Sequence, residues 1–241
     1  EEVGRKAELY NRLRGNFMIR REKHGKNGVL PQLKLPIFDL VHAEETAAVK
    51  AALQAERLLD IDPENLKGAQ AIFGGQIAAV RRQMGVAMAP QVASYCDMLL
   101  DGGVDKLVLF GWHTEVLDIW ERKLSKFGLV RIDGRTSAVQ KDKSVKAFVA
   151  SPGIRIAIGN LLSMGTGVDG FQHACGHAVI GEPDWVPGNN QQAFDRIDRG
   201  GQTRQCVCDI FVAHGSFAEK VLASALRKGR NIHHTLDERV I

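Results

Sequence analysis

From residue 104 onward, short apolar runs of strand length alternate with stretches of helical period, and this alternation limits the fold more than any other feature of the sequence. The apolar runs are Lys106–Phe110, Leu129–Ile132, Ile154–Ile158, Ala178–Gly181 and Val207–Val212. Helical patterns cover 114–126, 138–150, 189–199 and 216–228. A strand that feeds a helix and returns to a parallel neighbour closes with a right-handed crossover. The pattern therefore predicts an α/β unit, a parallel sheet with helices on both faces. Ligands of such sheets bind at the carboxyl ends of the strands, so the loop after each strand is where chemistry is sought.

The chain ahead of residue 104 has a different texture. An extended run over 35–41 is followed by an amphipathic helical pattern over 43–59, which Asp62-Pro63 breaks. Two further helices are predicted, over 69–84 and 89–101. The second carries Val92, Tyr95, Cys96 and Leu99 at i, i+3, i+4 and i+7 and stops at Asp101-Gly102-Gly103. The boundary is placed at 103, between a mostly helical segment (1–103) and a compact α/β lobe (104–241).

Charge sharpens this division. The net charge of +4 over 241 residues is unremarkable, but residues 1–30 hold eight basic and four acidic side chains, so the rest sums to zero. A basic segment of this kind faces solvent or phosphate. With 44% hydrophobic and 25% charged residues, wholesale disorder and a fibrous repeat are excluded. No apolar run is long enough for a membrane-spanning helix. Cys96, Cys175, Cys206 and Cys208 read as reduced thiols of an intracellular protein. The opening Glu1-Glu2, without initiator Met or targeting pattern, reads as a piece of a longer chain.

Gly165-Thr166-Gly167-Val168-Asp169-Gly170 fits G-x-G-x-x-G after a predicted strand. A dinucleotide fingerprint needs a crossover helix before the next strand, yet that strand begins near His177. A loop whose backbone approaches a phosphate fits better, with a plain tight turn as the alternative. His173, Cys175 and His177, with Cys206 and Cys208, lack zinc-type spacing; they read as buried or half-buried strand residues, and no metal site is assigned. Neither G-x-x-x-x-G-K-[ST] nor D-E-x-[HD] occurs, so the chain lacks the parts that cradle a nucleoside triphosphate and its Mg²⁺. It is not expected to hydrolyse ATP alone.

The run Gln191 through Gln202 is the strongest feature. On a helix, Gln192, Arg196 and Arg199 share one ridge. Two guanidinium forks and an amide there suit phosphate oxygens; pairing with Asp195 or Asp198 is the alternative, and spacing alone leaves the two equal.

Gln192-Ala193-x-x-Arg196-x-x-Arg199-x-Gly201-Gln202 resembles the sixth helicase motif of the Swi/Snf-type DNA-dependent ATPases of helicase superfamily two. The other pieces follow in family order. Leu13-Arg14-x-x-Phe17-Met18-Ile19-Arg20-Arg21-x-Lys23 resembles the segment after the first motor lobe, and Lys106–Phe110 the fourth motif. Arg131-Ile132-Asp133-Gly134-Arg135-Thr136 with Val145 and Phe148 is similar to R-x-D-G-x-T…V-x-x-F. Leu162-Ser163 through Gly170 occupies the fifth motif, and Asp184-Trp185-x-Pro187 matches D-x-W-x-P. Two departures stand out: the family's adjacent glycines are split here by Thr166, and its usual sixth-motif histidine is Asp198. Glu182 and Met84-Gly85 resemble the annealing-helicase and phage-encoded branches.

The resemblance implies a motor of two RecA-like lobes with ATP in the cleft and DNA across both. This chain would be the second lobe, preceded by a helical inter-lobe and protrusion region. ATP and Mg²⁺ would be bound mainly by the absent N-terminal lobe of the same polypeptide. Arg199 and Arg196 would act as catalytic arginine fingers, with Gln192, Gly167 and Asp169 near the nucleotide. Thr136, Ser163, His113, Trp185, Arg20 and Arg21 would contact DNA, in duplex form and without regard to sequence. The expected setting is intracellular, in the cytoplasm or on the nucleoid. A stand-alone DNA-binding module without ATPase activity is the alternative.

Overall fold

A computed structural model of the chain describes residues 34–62, 66–165 and 167–224, together with Glu8. Six strands form one sheet in the order β1-β6-β5-β2-β4-β3, and every pairing is parallel. The strands are β1 (Ile37–Ala43), β2 (Leu107–Gly111), β3 (Leu129–Ile132), β4 (Ile156–Asn160), β5 (His177–Ile180) and β6 (Val207–Ala213). The helices are α1 (Ala47–Arg57), α2 (Leu66–Asp101), α3 (Thr114–Leu124), α4 (Ala138–Ala150), α5 (Leu161–Gly165) and α6 (Pro187–Phe194). Residues 217–224 (α7) are also helical.

The period of two along β2 sorts the core. Val108 and Phe110 point to one face, where they join Ile132, Phe148, Phe171 and Phe194 beneath α4 and α6. Leu107 and Leu109 point to the other, where Val92, Cys96, Trp120 and Leu124 from α2 and α3 cover them. A strand buried on both sides needs no polar alternation, which is why β2 reads as an unbroken apolar run. α4 starts where Ser137 caps it, its hydroxyl accepting from Gln140 N at 3.3 Å.

Three expectations change. First, the two helices over 69–84 and 89–101 are one, with Pro90 inside it. It is about 54 Å long at 1.5 Å per residue. A proline within a helix costs about 3 kcal/mol. Packing offsets this on both sides of the ring: Met84 and Met88 pack with α1, while Ala89, Val92, Ala93 and Cys96 pack on the sheet side. Gly85 keeps the helix close to the core, because a Cβ there would collide with the Glu182 carboxylate. Second, α6 ends at Phe194 rather than at 199. The chain turns at Asp195 and is held by Gln202, whose amide donates to Ile197 O at 2.9 Å and Cys175 O at 2.8 Å. Third, β1 precedes the boundary drawn at 103 but is the edge strand of the same sheet, in register from Ile37 opposite Val207 to Ala43 opposite Ala213. Its Phe38 ring lies 4.7 Å from Phe194, bracing the end of α6.

The four cysteines are buried and form no disulfide. Cys175 Sγ donates to Lys106 O at 3.2 Å, while His177 Nε2 lies 2.6 Å from Asp209. Of the residues read as buried strand positions, His177 and Cys208 lie on strands, Cys175 and Cys206 are buried just ahead of them, and His173 is exposed in a 3₁₀ turn. Among the described residues, no helix is long and apolar enough to cross a membrane.

A candidate functional site at the carboxyl ends of the strands

The turn after β3 is built by its own polar groups. Asp133 accepts from Arg135 N at 2.9 Å and from the Arg135 guanidinium at 2.9 Å. Thr136 Oγ1 accepts from Asp133 N at 3.0 Å, leaving the hydroxyl proton to donate elsewhere. Behind them, Arg131 donates to Asp118 at 2.6 Å, to Glu121 at 2.7 Å and to Asp133 at 3.2 Å. The hydrogen bond from Arg135 is the main reason the Asp133 carboxyl falls to about 2.

The end of β4 meets this turn. Asn160 donates to Trp112 O at 2.7 Å, and its Oδ1 accepts from Leu162 N and Ser163 N at 3.1 and 3.2 Å, capping α5. Gly134 lies beside Ser163: a Cβ there would be 3.9 Å from the serine hydroxyl. Trp112, Asp133, Gly134, Arg135, Asn160 and Ser163 line a cleft of about 310 Å³. Thr136 lines the adjoining cleft of about 490 Å³ beside Arg131 and Ser137. Thus Thr136 and Ser163 come to neighbouring clefts.

The sixth-motif arginines occupy the next part of the rim. The helical ridge expected of Gln192, Arg196 and Arg199 does not form, since α6 stops before both arginines. They instead converge on the glycine loop. Arg199 Nη1 is 3.1 Å from Asp169 Oδ1, and Arg196 Nη1 donates to Val168 O at 3.0 Å. Arg196 Nε is buried without a hydrogen-bond partner. Burial, and next the charge of Arg199, push the Arg196 guanidinium below its ordinary value. The Asp169 carboxyl is lowered chiefly by the hydrogen bond from Gln172, with Arg199 adding to it. Gly167 and Gly170 have φ of +67° and +119°, so the loop uses conformations open to glycine. Among the described residues, the five-residue α5 and a 3₁₀ turn over Phe171–His173 lie between β4 and β5, which is too little for a dinucleotide crossover. Gln192 is exposed. Asp198, standing where the family has histidine, is buried at 2% exposure.

The tryptophan loop is different. Trp185 is 4% exposed and packs with Ile77, Phe217 and Val221, its ring 4.3 Å from Phe217. The ring expected to contact DNA is thus covered on the protein side. Beside it sits a residue the sequence reading missed. The Arg81 guanidinium lies 4.6 Å from the Trp112 ring centroid and 5.0 Å from that of Trp185, and 3.6 Å from Asp184. Burial lowers its pKa, against the pull of Asp184 and Glu182. Glu182 takes Trp112 N at 2.8 Å and His113 N at 3.0 Å at the start of α3, and its other oxygen is 2.8 Å from His113 Nδ1. His113 is thereby held at the rim, 18% exposed. Arg20 and Arg21 lie outside the described residues.

Comparison with known proteins bears on the family of the chain. No family model matches the chain. It is 31% identical over 241 residues to the DNA annealing helicase and endonuclease ZRANB3 of Mus musculus, covering 97% of this chain and 22% of that protein. It is 30% identical over 206 residues to the DNA repair and recombination protein RAD54-like of Drosophila yakuba, covering 79% of this chain and 23% of that one. The chain thus spans less than a quarter of the length of these relatives. Among solved structures, the C-terminal part of the Fun30 ATPase domain shares the fold, with a TM-score of 0.59 at 17% identity, covering 79% of this chain and 89% of that one. With family motifs on successive loops of one parallel sheet and relatives aligned along most of its length, the chain belongs to the Swi/Snf-type proteins of helicase superfamily two, as a C-terminal RecA-like lobe.

Proposed function

We propose that this chain is the C-terminal motor lobe of an ATP-dependent DNA translocase. Its partner is an N-terminal RecA-like lobe of the same polypeptide, which binds most of the ATP and its Mg²⁺. The observation that carries this reading is the convergence of Arg196 and Arg199 on one loop, Arg199 at the exposed Asp169 carboxylate and Arg196 on the neighbouring Val168 carbonyl, with Arg196 Nε left unpartnered. Two guanidinium groups sharing so little negative charge suit phosphate oxygens arriving from the facing lobe. Lobe closure would bring both to the γ-phosphate, with Gln192 and Gly167 beside the nucleotide. Closure would then couple ATP state to lobe spacing and to a step along DNA.

DNA contacts fall to Thr136, Ser163 and the rim at His113, with Arg20 and Arg21 as further phosphate contacts. Backbone contacts of this kind make binding indifferent to sequence and sensitive to salt. Trp185, packed against Phe217, anchors the loop that faces the same rim. The similarity to an annealing helicase favours that branch, and DNA as the substrate implies an intracellular site of action.

The test is DNA-stimulated ATP hydrolysis by the polypeptide carrying both lobes. Arg199→Ala is expected to lower turnover by about 10³ or more. Near-normal hydrolysis would overturn the assignment.

A further inference from the structure

At the far edge of the sheet, away from the motor motifs, two histidines and a glutamate meet. His42 is the next-to-last residue of β1, His214 follows β6, and Glu219 lies on α7. His42 Nε2 is 2.7 Å from Glu219 Oε1 and His214 Nδ1 is 3.5 Å from the same oxygen. The imidazole rings stand edge to face with centroids 5.5 Å apart. The three ligand atoms all lie within 4.8 Å of one another.

From this geometry we infer that His42, His214 and Glu219 form a binding site for a zinc-class divalent cation. Two imidazoles and a carboxylate are a donor set that suits such an ion. Bonds of about 2.0–2.1 Å in a tetrahedral shell put ligand atoms about 3.4 Å apart. His214 and Glu219 already meet that spacing, and His42 needs to withdraw by less than about 1 Å. Both imidazoles have room to adjust, with side chains 43% and 77% exposed.

The carboxylate is also oriented from behind. Gly215 N donates to Glu219 Oε2 at 2.6 Å, which leaves Oε1 turned toward the imidazoles, the role that outer hydrogen bonds play at metal sites. Burial raises the Glu219 carboxyl, but the hydrogen bonds from His42 and Gly215 outweigh it and keep the group below its ordinary value. The fourth position opens to solvent and would take water. Because the ligands come from β1, the turn after β6 and α7, a bound ion would staple the last helix to the edge strand.

The experiment is titration of the purified 241-residue chain with ZnCl₂ by calorimetry, paired with thermal unfolding with and without Zn²⁺. One equivalent bound, with a rise in Tm, is expected. His214→Ala is expected to weaken binding by at least about tenfold and to abolish the Tm rise. It is the informative variant because His214 is exposed, so its loss leaves the fold intact. Absence of saturable binding at millimolar Zn²⁺ would overturn the inference. So would stoichiometry and affinity unchanged in His214→Ala and in His42→Ala/His214→Ala, which would place the ion on other residues.

Discussion

Arg81 is largely buried and Arg196 half-buried in this lobe, and their surroundings are opposite in kind. Arg81 is enclosed: two tryptophan faces sandwich it, Asp184 lies 3.6 Å away and Glu182 adds its charge. Arg196 has one carbonyl partner, a buried Nε with none, and a second arginine as neighbour. A guanidinium enclosed by aromatic rings and carboxylates is part of the scaffold. An undersatisfied one is a cost to the lobe alone, and such a cost persists where a ligand relieves it. Under the proposed function, the contrast separates the half of the rim that holds the protein together from the half offered to phosphate.

The comparison is broken most forcefully by deleting each arginine. Arg196→Ala in the two-lobe polypeptide is expected to cut DNA-stimulated hydrolysis by about 10³ while Tm is unchanged or rises, since a buried unmet donor is lost with the charge. Arg81→Ala is expected to do the reverse to the fold. Removing one partner of a buried pair costs about 3 kcal/mol or more, read as a lower midpoint in urea unfolding of the chain. Equal stability losses in the two variants would erase the distinction.

Gly85→Ala sharpens the same scaffold side more gently. The new Cβ meets the Glu182 carboxylate, so Glu182 must move from the His113 and Trp112 amides, at a cost of about 1–3 kcal/mol. A variant as stable as the parent would show that this carboxylate is not held in place.

The smallest expected effect concerns the turn that carries Thr136. The Asp133 carboxyl sits at about 2 in the folded protein, against an ordinary value of 3.8. A lowered folded pKa means that its stabilisation is complete above about pH 4 and is lost as pH falls through about 2. The stability difference between parent and Asp133→Asn is therefore expected to be constant above that window and to shrink within it. A difference that grows on acidification would contradict the pairing with Arg135 and Arg131.

How much of this was legible in the sequence follows from the range of the interactions. β2 is buried on both faces, so its apolar run spoke for itself. The rim loops were found because each follows a strand directly. The helices predicted over 69–84 and 89–101 are one, because packing on both sides of Pro90 carries α2 through it, and no local spacing reports that packing. The extended run at 35–41 was visible, but its place beside β6 depends on a pairing across about 170 residues. The ridge of Gln192, Arg196 and Arg199 failed because α6 ends early, yet both arginines still reach the same loop. Arg81 between Trp112 and Trp185, and His42 with His214 and Glu219, come from distant segments, and no local spacing signals either cluster.

The central claim is that the sixth-motif arginines act on phosphate in the closed motor. Its most direct test is single-turnover hydrolysis of ATP by the two-lobe polypeptide on duplex DNA at saturating nucleotide, parent against Arg199→Ala. The account predicts a chemical step slower by about 10³ or more, with DNA affinity and Tm of the variant preserved. A variant that hydrolyses bound ATP at the parental rate would contradict it.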